Sequence, residues 1–226
     1  MTRDTSARIA GFTFLFYIAV AYPAMVLESR ATSGESVSAR LANIAQHTTE
    51  MRVTMLLNLL SVFSALVLAV TLYGVTRDED NELAMFGLVC RVGEGLLGGA
   101  PLATPGLLWL ATATGPSAPD AATANGMAAL LLKVGTWQVN GSATLFAAGS
   151  TTFAYLLLRG RMIPAALAWL GVIGSALILI GLPLELVGLL GAPINQLMWI
   201  PIALFEITLA VWLLVKGVAP LRSRSA

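Results

Sequence analysis

The chain has 226 residues, 57% hydrophobic and 11% charged, with a formal net charge of +1 and a mean hydropathy of +0.82. A soluble domain carries roughly 25% charged residues, so that class is excluded, and nucleic acid is excluded as a partner because it would need a basic stripe. The single cysteine, Cys90, leaves neither an internal disulfide nor a multi-cysteine metal site.

Six apolar runs of membrane length follow one another, each near the roughly 20 residues that cross a hydrocarbon core of about 30 Å. The first, at about 9–27, is preceded by Arg3 and Arg8 in the manner of a signal peptide. Its length exceeds a signal core of about 7–15 residues, so it is read as a retained helix. Pro23 is expected to kink or end it. After Gly34, the residues Val37, Leu41, Ile44, Thr48 and Met51 recur at helical spacing, with Arg40, Asn43, His47 and Glu50 mostly off the stripe. That pattern predicts an amphipathic outer helix between spans one and two, shielding the bundle top or acting as a lid.

The second span is about 53–73, followed by an acidic turn at 74–82. The third is about 83–110, with Pro101 and Pro105 expected to break its far third. Residues 115–125 read as a loop with a helix start at Pro119-Asp120, and 127–134 as a short surface helix or an extension of the fourth span, about 137–158. The fifth span is about 164–190 and the sixth about 194–216, before a basic tail at 217–226. The fold class is therefore all-α: a polytopic bundle of six transmembrane helices forming a single integral-membrane domain, 1–226.

Orientation follows the distribution of Lys and Arg. One side receives Arg3, Arg8, Arg77, Arg159, Arg161, Lys216, Arg222 and Arg224; the other receives Arg30, Arg40, Arg52 and Lys133. The first set is twice the second, which places both termini in the cytoplasm and the chain in a cytoplasmic membrane.

Charged residues inside the spans need a reason, because each costs several kcal/mol in hydrocarbon. At a rise of about 1.5 Å per residue, Arg91 lies roughly 12 Å and Glu94 about 16 Å into span three, and Glu206 about 12 Å above the same face in span six. Arg91 cannot escape by losing its proton and must face the bundle interior. Glu94 shares its helix face, and Glu206 is the natural partner from across the bundle. Two readings stay open: a structural ion cluster that fixes which helices meet, and a ligand or proton site. Asn58 with Ser61 and Asn140 with Thr144 add polar faces that serve either a cavity or interhelical hydrogen bonds.

Gly95, Gly98 and Gly99 permit close helix packing; the glycine run is no phosphate loop, since it lies inside an apolar span. His47 is a lone surface histidine, Cys90 a small packer, Glu185 interfacial, and Trp109, Trp137 and Trp199 interfacial anchors. No catalytic triad, metal set or cofactor motif is complete.

Several phrases in order along the chain carry a resemblance: Arg8-Ile-Ala-Gly11, Leu72-Tyr73, Arg91-x-x-Glu94, Met162-Ile-Pro164, and Glu206 before Trp212-Leu-Leu-Val-Lys-Gly217. Together they resemble the bacterial membrane family catalogued as domain of unknown function 4386, although Ala165 stands where a basic residue commonly follows. The resemblance implies a six-helix integral membrane protein and singles out the same Arg and Glu positions. It implies no activity, substrate or cofactor.

The leading expectation is a bacterial inner-membrane protein that binds or moves a small polar or amphipathic ligand, a lipid included. Arg91 would hold an anionic group while Glu94 or Glu206 exchanges a proton, with Asn58 and Asn140 beside them. The alternative is a non-catalytic scaffold or sensor acting through a protein partner. An intramembrane enzyme ranks last, for want of a nucleophile–base pair.

Overall fold

The computed structural model describes residues 2–99, 103–116, 118–189 and 192–219, with the backbone alone at 99 and 192–196. The break expected at Pro101, the end of the fifth span at 190, and the tail cations Arg222 and Arg224 lie outside the described residues. The helices are α1 (Arg3–Ala31), α2 (Val37–Gln46), α3 (Thr48–Thr76), α4 (Asn81–Gly99), α5 (Ala103–Thr112), α6 (Ala121–Arg159), α7 (Ala165–Leu186) and α8 (Ala192–Val215). No strand occurs among the described residues. Six segments are long and apolar enough to cross a membrane: α1, α3, α4 taken together with α5, α6, α7 and the Leu197–Val215 part of α8. The outward surface is correspondingly apolar, with Phe12, Phe63, Val70, Val89 and Ile180 all exposed. The chain is a multi-pass membrane protein.

Helix ends lie where the sequence satisfies orphan backbone groups. Thr2, Ser36 and Asp120 each accept a hydrogen bond from the backbone N–H three residues on. α6 closes with Met162 N–H donating to the Leu157 carbonyl and Arg161 N–H to the Leu158 carbonyl, both at 3.0 Å. That closure requires Arg161 in the left-handed region, at φ 50°.

Each span packs against two others, in the order α1, α3, α4, α6, α7, α8 and back to α1. The six spans thus close a ring in which consecutive spans are neighbours. Glycines let the walls approach: a Cβ on Gly11 would lie 2.6 Å from the Ala210 carbonyl oxygen of α8, and one on Gly174 3.0 Å from the Ile202 nitrogen. The main core joins residues of α1, α3, α4, α6, α7 and α8, whereas Ala31, Ile44, Met51, Leu107, Leu110 and Ala128 form a separate cluster at one end.

The boundaries differ from the expected ones in three places. α1 continues through Pro23 to Ala31 instead of ending there. The fourth span begins at Ala121 and not at about 137: the helix start expected at Pro119-Asp120 is the Asp120 cap of a helix of 39 residues, and of the two readings of 127–134 the extension of the span holds, not the separate surface helix. The amphipathic stripe is split at His47 (φ −113°, ψ 34°), which leaves Val37, Leu41 and Ile44 on α2 and moves Thr48 and Met51 to α3. Ile44 and Met51 still meet in the same end cluster.

Candidate functional site

The ring's centre is polar at one level. Arg91 stands ten residues into α4 and Glu206 nine residues before the end of α8, each about 14–15 Å from the same end of the bundle. Tyr17 and Glu94, 14 and 13 residues into α1 and α4, share a level about 20 Å from that end.

Arg91 is sealed, with 1% of its surface exposed. Its Nη1 lies 3.0 Å from Glu94 Oε2 and donates to Ser150 Oγ at 3.4 Å. The guanidinium carbon sits 4.9 Å from the Phe146 ring centroid, a favourable cation–π placement for a buried cation, and Trp199 stacks on that ring at 6.2 Å. The aliphatic stem runs over Gly149, where a Cβ would lie 2.8 Å from Arg91 Cγ. A bare glycine on α6 is therefore what admits the arginine. Its Nε and Nη2 find no hydrogen-bond partner among the described residues.

Glu94, 4% exposed, is held from three sides. Arg91 takes one oxygen, the Tyr17 hydroxyl donates to Oε1 at 3.4 Å, and the Ser142 hydroxyl donates to its backbone carbonyl at 3.0 Å. Glu206 is also buried, at 8%, and lies within electrostatic range of Arg91 and Glu94. Among the described residues no cation stands within 4.0 Å of it and its Oε1 has no hydrogen-bond partner. Arg91 thus pairs with the carboxylate on its own helix, and Glu206 contributes a second carboxyl group to the centre without a direct bridge.

A cavity of about 350 Å³ reaches Glu94. Tyr17, Asn58, Ser61, Glu94 and Ser142 line its deep part; Glu28, Thr32 and Thr104 line the opposite end, with Met25, Leu107 and Leu131 as apolar wall. Glu28 Oε1 accepts from the Thr104 hydroxyl at 2.8 Å. Gln138, also on the wall, donates to the Leu97 carbonyl.

The sequence candidates therefore separate. Glu94 and Asn58 meet on the cavity wall. Arg91, which was expected to hold an anionic group, lies behind Glu94 and does not line the cavity, and neither does Glu206. Asn140 faces a different groove, with Trp137, Leu182 and Pro183 between α6 and α7. Ser142 takes the place expected of Asn140, because two residues on a helix are about 200° apart. Tyr17, Glu28 and Ser142 were missed. Depth counting on α1 would have found Tyr17, since it falls on the level of Glu94. No group of three or more His, Cys, Asp or Glu positioned for a metal ion occurs among the described residues.

The sequence profile of the family described as "Domain of unknown function (DUF4386)" matches residues 9–217, and the chain belongs to that family. No curated protein and no solved structure matches it.

Proposed function

We propose that the chain is a membrane-embedded binding protein for a small amphipathic molecule, taken into the cavity with its polar end at Glu94. The observation that carries this reading is a cavity that joins apolar wall to a buried carboxylate held by Tyr17 and Arg91. Its volume of about 350 Å³ falls in the range of small-molecule sites, about 300–1,000 Å³. The charged side chains on its wall are Glu28 and Glu94, so the polar end of the ligand is a cation or a hydrogen-bond donor. With both termini in the cytoplasm, as the basic residues favour, the Glu28 end faces outward and Glu94 is reached from outside. Transport would need the seal around Arg91 to open on the other side.

The second reading, a scaffold or sensor whose polar cluster is structural, draws on the burial of Arg91 over Gly149. Native mass spectrometry from bilayer nanodiscs separates the two. Ala21 lines the cavity one helical turn from Tyr17 toward the Glu28 end, so Ala21→Trp fills the space without removing any group of the cluster. A bound mass carried by wild type and lost in folded Ala21→Trp supports the binding reading; identical bare spectra support the scaffold.

A further inference from the structure

A second site lies at the other end of the bundle, where the α6–α7 connection meets the end of α8. Gly160 and the left-handed Arg161 turn the chain sharply out of α6, and Ala219 N–H donates to the Met162 carbonyl at 2.9 Å, which ties the segment after α8 across the turn. Between them is a basin of about 490 Å³ with Arg161 and Lys216 on its rim and Trp212 in its wall. Both cations are exposed, and neither has an ion-pair partner among the described residues. The nearby carboxylate of Asp4, which lies against Gly217, is already paired with Arg8 at 3.0 Å.

The basin does not stand alone. Trp212 and Lys216 also line a groove of about 400 Å³ that runs along the outward face of α8 past Val215, Val211 and Ile207. Those three side chains are exposed on the apolar surface. Two unpaired cations at a helix end, an indole beside them, and an apolar channel leading from them toward the bundle's mid-level make one continuous shape. It matches an anionic headgroup at the interface, with an acyl chain below it. A free phosphate would use the basin and leave the groove unexplained.

We infer that Arg161, Lys216, Trp212 and the α8 groove form a binding site for an anionic phospholipid, with the phosphate held by the two cations and one acyl chain laid along Val215, Val211 and Ile207. The site is separate from the Glu94 cavity and stands whether or not that cavity binds a ligand.

The test is retention of phosphatidylglycerol against phosphatidylcholine on protein released from mixed nanodiscs, for wild type, Arg161→Gln/Lys216→Gln and Arg77→Gln. Arg77 is an exposed cation beside Asp78 and controls for the loss of one positive charge away from the basin. The expected result is preferential phosphatidylglycerol retention in wild type and in Arg77→Gln, reduced about thirtyfold in the double variant, as two basic contacts at an anionic surface would give. Equal retention of the two lipids, or equal loss in Arg77→Gln, overturns the proposal. A second readout places the chain: lipids brominated on the acyl chain should quench the Trp212 component of fluorescence, taken as wild type minus Trp212→Phe. More quenching by phosphatidylglycerol than by phosphatidylcholine supports the groove. No quenching, or displacement of phosphatidylglycerol by inorganic phosphate alone, counts against it.

Discussion

Two arginines in this protein meet carboxylates at the same distance, in opposite surroundings. Arg91 stands 3.0 Å from Glu94 with 1% of its side chain exposed. Arg159 stands 3.0 Å from both Glu79 and Asp80 with 34% exposed. At the bundle end, water screens the charges and the pairs contribute little beyond local order. At the centre Arg91 is sealed and Glu94 only 4% exposed at the cavity wall, so screening is weak and removing one partner strands the other in a poorly solvating medium. Equal geometry thus has unequal consequences. What distinguishes the central pair is the packing that seals it: Phe146 under the guanidinium, Gly149 under the stem, and Tyr17 at Glu94.

The contrast can be broken by mutation. Arg91→Gln leaves Glu94 and Glu206 without their cation and should cost about 3–5 kcal/mol in denaturant or detergent unfolding. Adding Glu94→Gln should restore a large part of that loss. A double variant as unstable as the single one would show that the arginine acts through packing instead of charge. Gly149→Ala should cost about 1–3 kcal/mol, because the new methyl overlaps the Arg91 stem and presses on the Gly87 carbonyl of α4; an unchanged unfolding midpoint would mean that α4 and α6 separate freely. Arg159→Gln should leave the melting temperature indistinguishable from wild type at physiological salt.

The smallest effect is one of pH. The Leu83 N–H, at the start of α4, and then the Arg159 guanidinium hold the Asp80 carboxyl below its ordinary range. A depressed folded-state value means that its contribution is fully present above the unfolded value of about 3.9 and is lost as pH falls through the lower folded value. Asp80→Asn should therefore differ slightly from wild type at neutral pH, and the difference should shrink near pH 3. A difference that grows on acidification would contradict this assignment.

How much of this was legible in the sequence depended on the kind of signal. Hydropathy and length located all six crossings, since lipid demands apolar runs of fixed length. Spacing put Arg91 and Glu94 on one face, and depth counting put Glu206 on the level of Arg91. The partner choice was not legible: which carboxylate meets the guanidinium depends on rotamers and on Gly149, not on depth. The cavity was half legible. Asn58 and Ser61 are on its wall, but Asn140 was named and Ser142 was not, because the rotation of α6 about its own axis leaves no mark on composition. The helix start at Asp120 was legible from its capping chemistry, whereas its continuity with the fourth span was one of two readings, because the residues between carry no sharp break in composition.

The central claim, a cavity open from one end of the bundle down to Glu94, is tested most directly by thiol labelling of neighbouring positions on α3. Ser61 lines the cavity, and Ser64, one turn further on, is buried in the packing. In a Cys90→Ala background, a water-soluble maleimide should label Ser61→Cys from one side of the membrane and leave Ser64→Cys unmodified. If Ser61→Cys stays as inert as Ser64→Cys from both sides, the cavity is closed to water and Glu94 is a structural group only.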